Sequence, residues 1–311
     1  MARNGKKHLL GRTLGPILGV LFCLTIFVAV LLHGYNVALF NPKGAIAHEQ
    51  HSLTMLVVAI MLVIAIPAVF LVYFIAWKYR EANRTVKRNP NAGHGTLLNA
   101  SMWLVPLAFM VVLASIMWPA THRLAPQNQI AADAKPLTIQ VIALRWKWLF
   151  IYPEQKIATV NYVQLPVGTP VTFELTADEA PMSSFWIPNL GGMLYAMTGH
   201  VNQLNLVADT LGDYPGSSAE INGAGFAGMK FTASATSKDD FDLWAKNVHQ
   251  QSGVLGTVEY DTLRAASENN PPAFYAVGDS SLYDTVLMKY MGAHQQAAVE
   301  SQTPHQHGGY Y

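Results

Sequence analysis

Residues 53–77 read LTMLVVAIMLVIAIPAVFLVYFIAW, an apolar run without a charged side chain. About 20 such residues are enough for a helix to cross a membrane, so this run predicts a transmembrane span. Pro67 is compatible with a membrane helix, because neighbouring groups there can satisfy the carbonyl that proline leaves unpaired. A second uncharged run occupies residues 97–118 and ends on Trp118, as expected at a membrane interface. The two spans predict a transmembrane hairpin within residues 35–122.

The segment between the two spans predicts their orientation. Residues 78–88 contain five basic side chains and one acidic side chain. Because loops rich in Lys and Arg stay in the cytoplasm, this segment is predicted to be cytoplasmic. Everything after about residue 119 then lies outside the cytoplasm, which in a bacterium is the periplasm. We therefore expect a multi-pass protein of the bacterial inner membrane with a periplasmic C-terminal domain.

Residues 1–34 have the features of an export or anchor segment. Four basic residues, the last of them Arg12, precede an uncharged run over residues 14–32. This pattern is typical of a signal sequence, but the run is also long enough to be kept as a signal anchor. Cys23 is the only cysteine, so the exported part has no disulfide, zinc-thiolate site or cysteine nucleophile. A net charge of +1 gives no electrostatic reason to expect a nucleic-acid partner.

From residue 130 to residue 236 the pattern becomes that of a β-domain. Apolar and polar residues alternate in LTIQVIA, residues 137–143, which predicts a strand. Further strands are predicted at residues 158–165, 170–176, 202–207 and 229–235. Turns rich in glycine and proline are predicted at residues 166–168, 191–192, 212–216 and 223–225. Many short strands at near-regular spacing indicate a β-sandwich or barrel.

Residues 237–293 are predicted to form a helical extension. Ser237 is a candidate N-cap for a helix whose apolar face comprises Phe241, Trp244, Ala245 and Val248. A second helix is predicted to begin at Ser280 or Ser281, with a stripe of Tyr283, Val286, Leu287 and Tyr290. Both stripes are expected to pack against the β-domain or a partner subunit. Residues 294–311 are predicted to be disordered.

Residues 216–229 read GSSAEINGAGFAGM and resemble the loop that holds the dinuclear copper centre in subunit II of cytochrome c oxidases. That loop has a Cys, then Glu, Cys, His and Met at steps of two, two, four and three residues. The spacing is kept here, but the residues at these places are Ser218, Glu220, Asn222, Phe226 and Met229. The family's upstream histidine corresponds to Ser183. Only Glu220 and Met229 match, and we call residues 216–229 the vacated loop.

Copper is therefore not expected on this chain. A copper electron-transfer site needs soft thiolate and imidazole ligands. The exported part has no cysteine, and between residues 130 and 262 its only histidines are His200 and His249. Met229 alone is a weak ligand and is expected to pack in the core. Glu220 is expected to make hydrogen bonds within the loop.

The resemblance covers most of the chain. Similar stretches are RWKWLFIY at residues 145–152, NPKG at 41–44, WKYR at 77–80 and GFAGMKF at 225–231. They resemble subunit II of bacterial haem–copper ubiquinol oxidases of the cytochrome bo or ba type. The resemblance implies an α+β membrane protein with a cupredoxin-like Greek-key β-sandwich on the transmembrane hairpin, followed by short helices.

The same resemblance implies a function. The complex would oxidise ubiquinol, reduce oxygen to water and translocate protons, with the haems and copper in subunit I. This chain would be a non-catalytic subunit without cofactors, and subunits I, III and IV and membrane lipid would be its partners. Two other functions stay open as alternatives. One is a cytochrome c oxidase subunit II that receives electrons, and the other is a membrane-tethered periplasmic scaffold module unrelated to respiration.

Four residues bear on details of this function. Trp146 and Trp148 are candidates for contact with subunit I, or for strand packing alone. The family's lipid-modified cysteine corresponds to Tyr35, which argues against lipidation. The family's glutamate linked to proton uptake corresponds to Asn99, and a neutral amide cannot take up a proton.

The orientation is testable with an introduced cysteine. In a background where Cys23 is changed to serine, Thr85→Cys should resist membrane-impermeant thiol reagents in intact spheroplasts, because the basic loop is predicted to face the cytoplasm. Ser301→Cys, in the predicted periplasmic tail, is the control and should label readily. Rapid labelling at residue 85 would reverse the topology.

Overall fold

The computed structural model describes residues 26, 37–80, 83, 95–130, 135–180, 182–279 and 281–291. The chain divides into two units, Met1–Pro42 and Lys43–Tyr311. The described part of the first unit contains a short 3₁₀ turn, Ala38–Phe40. The predicted signal or anchor segment, apart from Ile26, and the predicted disordered tail lie outside the described residues.

Two long helices begin the second unit: α1, Ala45–Lys78, and α2, Thr96–Arg123. Each is long and apolar enough to cross a membrane, by length and composition. Large apolar side chains point outward from both, and Val72 and Trp103 are 66% and 81% exposed. An exposed apolar surface of this extent is unfavourable in water, so the two helices indicate membrane anchoring. Both extend several residues beyond the predicted spans.

Twelve strands follow in the described residues. They are β1 Leu137–Leu144, β2 Lys147–Tyr152, β3 Ile157–Val160, β4 Tyr162–Pro166, β5 Val171–Ala177, β6 Ser183–Ile187, β7 Gly191–Ala196, β8 Asn202–Leu206, β9 Gly212–Ser218, β10 Lys230–Thr236, β11 Gly253–Leu255 and β12 Ala273–Val277. The larger sheet has the order β11-β12-β3-β2-β1-β5-β8, and the smaller sheet has the order β4-β10-β9-β6-β7. Their packing forms the β-sandwich.

Among the described residues after β10 there are three helices: α3, Lys238–Gln251, α4, Thr257–Arg264, and α5 over residues 282–291. Ser237 caps α3, because its Oγ accepts a hydrogen bond from the backbone N–H of Asp240 at 3.1 Å. The predicted fold class is confirmed: an apolar helix pair, a β-sandwich and short C-terminal helices.

Both faces of the larger sheet are covered, as strand β2 shows. On one face Trp148 and Phe150 pack against the smaller sheet, and the ring centroids of Phe150 and Phe231 lie 5.2 Å apart. On the other face Leu149 and Ile151 belong to a second apolar cluster that includes residues of α4 and α5. All of β2 is buried, so its sequence reads as a nearly continuous apolar run rather than an alternating one.

The structure differs from the predicted elements in several places, and one of them is the turn predicted at residues 191–192, which is the start of β7. The strand predicted at residues 158–165 breaks at Asn161, which has a φ of +54° and sends β3 and β4 into different sheets. The turn predicted at residues 212–216 is the first part of β9, because pairing with β10 outweighs the local preference of Pro215 and its glycine neighbours. The C-terminal region is not purely helical, since β11 and β12 extend the larger sheet beyond β3.

The start of α1 is joined directly to the β-domain. Gly44 forms an antiparallel bridge with Ala208. The backbone N–H of Lys43 donates to Asn189 O at 2.8 Å, and Lys43 O accepts from Asp209 N at 2.9 Å. A Cβ atom at residue 44 would lie 2.5 Å from a backbone carbonyl oxygen, so only glycine fits there. No flexible linker therefore separates the helix from the domain.

A buried carboxylate holds the C-terminal helices against the sandwich. Asp178 follows β5 and is 1% exposed. It accepts hydrogen bonds from the Tyr260 hydroxyl on α4 at 2.6 Å, and from Tyr290 and Lys289 on α5 at 2.7 and 2.9 Å. Burial by itself raises the pKa of Asp178, but these three hydrogen bonds outweigh burial, so the pKa lies below its ordinary value.

We expect Tyr260→Phe to lower the free energy of unfolding of the β-domain by about 1.5–3 kcal/mol, because a buried carboxylate loses a hydrogen bond. The lowered pKa of folded Asp178 means that its stabilisation is present above the unfolded pKa of about 3.9 and is lost as the pH falls through the folded pKa. In the variant the pKa of folded Asp178 is lowered less, because one of the three hydrogen bonds is missing. The variant should therefore lose stability at a higher pH than the wild type. Urea unfolding in mild detergent, followed by tryptophan fluorescence across acidic pH, measures both effects.

Tyr275→Phe is the matched control for Tyr260→Phe. Tyr275 packs against the same apolar cluster, and its hydroxyl makes no hydrogen bond to a described residue. This variant should unfold like the wild type. If both variants lost the same free energy of unfolding, the hydrogen bond from Tyr260 to Asp178 would not be the cause of the loss.

Candidate functional site

Four of the six positions that correspond to copper ligands lie together at one end of the smaller sheet. Ser183 begins β6 and Ser218 ends β9, and the antiparallel pairing of these strands brings both to the same end. Asn222 lies in the loop after β9, and Met229 immediately precedes β10. All four are buried, with exposures between 0% and 7%. The spacing in the sequence therefore corresponds to a real cluster in space.

Asn222 connects the members of this cluster. Its Nδ2 donates hydrogen bonds to Ser183 Oγ at 2.8 Å and to Met229 Sδ at 3.2 Å. The backbone N–H of Ser218 donates to Met229 O at 3.1 Å. Asn222 Oδ1 is buried and has no hydrogen-bond partner among the described residues. Neutral groups thus hold together the places that metal ligands occupy in the resembled loop.

The two remaining positions lie nearer the surface. Glu220 is half-buried, and its backbone carbonyl accepts a hydrogen bond from Ser218 Oγ at 3.2 Å. Phe226 is also half-buried and begins a 3₁₀ turn, Phe226–Gly228. The backbone N–H of Met229 closes this turn by donating to Phe226 O at 3.1 Å. The turn returns the chain to the buried cluster at Met229.

The residues present do not fit a dinuclear copper centre. Such a centre needs thiolate and imidazole ligands, whereas the buried positions supply two hydroxyls, one amide and one thioether. The amide also directs its N–H donors at Ser183 Oγ and Met229 Sδ, which places partial positive charge inside the cluster. Within the described ranges there is no group of three or more His, Cys, Asp or Glu side chains that could hold a metal ion.

The two tryptophans near the start of the β-domain occupy different environments. Trp148 is fully buried in the core, so only Trp146 reaches the surface. Trp146 lies in the turn between β1 and β2 with a φ of +63°, and its indole ring packs over Gly223 and Gly225 of the vacated loop. A Cβ atom at residue 225 would lie 2.4 Å from the ring, so the loop and the ring fit only with glycine there.

The sequence reasoning missed two polar residues that shape this region. Ser184 Oγ accepts a hydrogen bond from the backbone N–H of Ala219 at 2.7 Å and attaches the vacated loop to β6. Lys147 is 2% exposed and donates to Leu263 O and Ala265 O, at 2.7 and 2.8 Å, at the C-terminal end of α4. Burial lowers the pKa of Lys147. The sequence did contain a signal for Lys147, because a lysine that lies between two tryptophans is expected to be buried with them. A buried cation needs hydrogen-bond acceptors.

Comparisons with known proteins agree with this geometry. The family model described as cytochrome c oxidase subunit II, periplasmic domain, matches residues 149–236, which include the vacated loop. A second model, the COX aromatic rich motif, matches residues 249–294, which include α4, β12 and α5.

Three curated relatives match over most of their own length. Cytochrome bo(3) ubiquinol oxidase subunit 2 of Pseudomonas putida is 42% identical over 277 residues, covering 89% of this chain and 85% of the relative. The protein of the same description from Pseudomonas aeruginosa is 40% identical and covers 86% and 80%. Ubiquinol oxidase subunit 2 of Acetobacter aceti is 40% identical and covers 84% and 85%. The resemblance seen in the sequence is confirmed, and the chain belongs to the ubiquinol oxidase subunit 2 family.

Proposed function

We propose that the chain is the non-catalytic subunit II of a terminal ubiquinol oxidase in the bacterial inner membrane. The complex oxidises ubiquinol, reduces oxygen to water and translocates protons. The buried network around Asn222 carries the proposal, because it fills the copper-ligand positions of this fold with neutral hydrogen-bonded groups. Such a chain cannot pass electrons through a copper centre of its own. A quinol-oxidising complex does not need this chain to carry electrons.

In this proposal electrons from ubiquinol reach the haems and copper of subunit I without passing through this chain. The role of the chain is structural, and its periplasmic domain covers the outer face of subunit I. The direct junction at Gly44 supports such a role, because it sets the position of the domain above α1. The apolar surfaces of α1 and α2 supply area for membrane lipid and for other subunits.

Trp146 is the residue that we place at the contact with subunit I. It is half-buried, so part of its indole ring is accessible, although its Nε1 lies inside the chain. The vacated loop beside it exposes Ile221, an apolar side chain that is 80% exposed. An exposed apolar residue next to a tryptophan is typical of the centre of a protein interface. Trp148 lies in the core, so we do not place it at this contact. Subunits III and IV complete the proposed complex.

Proton translocation in this proposal uses no titratable group at residue 99. Asn99 lies in the first turn of α2, and its neutral amide cannot exchange a proton at physiological pH. Residue 99 of this chain therefore takes no part in proton uptake.

The function can be tested with the purified complex. It should show haem absorbance, and it should consume oxygen with a soluble ubiquinol but not with reduced cytochrome c. An oxygen electrode measures both activities in the same preparation. Oxidation of cytochrome c without oxidation of ubiquinol would favour the electron-receiving cytochrome c oxidase subunit. A copurified complex without haem would favour the scaffold module.

The vacated loop should regain copper only when several residues change together. The variant with Ser183→His, Ser218→Cys, Asn222→Cys and Phe226→His supplies two thiolates and two imidazoles, with Glu220 and Met229 unchanged. Copper titration of the purified complex with absorption spectroscopy should detect near-stoichiometric copper beyond that of subunit I in this variant and none beyond it in the wild type, because soft ligands are needed as a set. Such additional copper in the wild type would contradict the proposal that this chain carries no cofactor.

Phe226→His alone is the matched control for the fourfold variant. It should bind no copper, and it should lower the free energy of unfolding by about 1 kcal/mol, because part of the apolar ring surface becomes hydrated. A fourfold variant that folds without binding copper would show that the vacated loop has lost the geometry of a ligand cage as well as the ligands.

A further inference from the structure

The outer end of the helix pair borders a cavity with a charged wall. The cavity has a volume of about 460 Å³ and lies between the first turns of α1, the end of α2 and strands β7 and β8. Its lining includes Ile46 and Glu49 from α1, Arg123 from α2, and Leu204 from β8. It therefore combines a polar side at the level of the membrane surface with an apolar side.

A second, apolar cavity of about 470 Å³ lies deeper along the same helix pair. It is a groove lined by Ile64 of α1 and by α2 residues between Val105 and Met117. The lining side chains are all apolar, and Ala114 is the smallest of them. A groove of this kind within a membrane span suits a hydrocarbon chain.

The two cavities lie on the same face of the helix pair. Ile46 and Ile64 are 18 residues apart, as are Val105 and Arg123, and 18 residues make five full turns of an α-helix. In ideal helix geometry each pair points in the same direction from its helix axis, with about 27 Å between its two members. Pro106 and Pro119 lie inside α2 over this stretch. Because α1 runs inward and α2 runs outward, the charged cavity stands at the outer end of the apolar groove.

The charged wall contains one anion and one cation in contact. Arg123 donates from Nε and from Nη2 to the same oxygen, Glu49 Oε2, at 3.1 and 3.0 Å. Their side chains are still 66% and 47% exposed, so both charges remain accessible from the cavity. Asn128 holds the backbone at the end of α2, because its Nδ2 donates to the carbonyls of His122 and Arg123 at 2.7 and 3.2 Å.

We propose that the cavity and the groove together bind one phosphatidylethanolamine molecule of the outer leaflet. Its phosphate pairs with the guanidinium of Arg123, its ammonium donates to the carboxylate of Glu49, and one acyl chain lies in the groove. A glycerol headgroup offers no cation to Glu49, and a choline headgroup offers no N–H donor. The inference rests on the membrane placement proposed above and goes beyond the oxidase function.

The test uses the whole complex in mild detergent, with native lipid removed by exchange. Lipids with identical acyl chains and ethanolamine, choline or glycerol headgroups are added, and native mass spectrometry counts the lipids retained. The wild type should retain ethanolamine lipid best. Arg123→Gln should retain it about tenfold less, as expected for the loss of a charge-assisted contact. Glu49→Gln should remove the preference for ethanolamine, and Ala114→Phe should reduce retention of all three lipids by filling the groove.

Lys135→Gln is the matched control, because it breaks an exposed ion pair, Lys135–Glu154 at 2.6 Å, that lies away from the cavity. This variant should retain lipid like the wild type. Unchanged retention in Arg123→Gln, or stronger retention of glycerol lipid by the wild type, would overturn the proposal. Loss of another subunit, rather than of lipid, from Ala114→Phe would also overturn it, since a protein would then occupy the groove. Ubiquinol oxidation in the same preparations tests the proposed function separately.

Discussion

Burial of the larger sheet on both of its faces is the constraint on which the exported domain depends. Trp148 and Phe150 need the smaller sheet to cover them, whereas Leu149 and Ile151 need α4 and α5. Either face alone would leave large apolar side chains in water, which is strongly unfavourable. This explains why the chain continues well past β10, and why buried polar anchors such as Asp178 tie the last helices to the sheet.

The vacated loop shows how such a fold can keep its shape with a different set of bonds. In the resembled loop coordination bonds to copper join the strand ends, whereas here Asn222 and Ser184 join them through hydrogen bonds. The ring of Trp146 fills the space beside Gly223 and Gly225, so packing adds to these weaker bonds. The cost is a buried Asn222 Oδ1 that no described residue satisfies. The loop thus has the spacing of the resembled loop, while its chemistry is that of an ordinary protein interior.

Length and hydropathy were sufficient to predict the helix pair, because charge-free runs of this length are rare outside transmembrane helices. Strands with one exposed face were also predictable, since their side chains alternate. The break at Asn161, strand β9 with Pro215 inside it, and the β11–β12 extension depend on pairing with distant strands, which local patterns do not contain. At the site, the resemblance to the copper loop identified five of the six positions by their spacing, and a similar upstream segment identified Ser183. It did not reveal that Asn222 would bridge Ser183 and Met229, because that contact exists only after β6 and β9 have paired.

The bridge between Gly44 and Ala208 has a mechanical consequence. The apolar run of α1, residues 53–77, has 25 residues, so at about 1.5 Å per residue it is longer than a hydrocarbon core of about 30 Å is thick, and a mismatch of this kind is relieved by tilting. Because Lys43 and Gly44 are bonded to the backbone of the β-domain, a change in the tilt of α1 is transmitted to the β-sandwich rather than absorbed at the start of the helix. A difference in bilayer thickness therefore acts on the β-sandwich as well as on the helix.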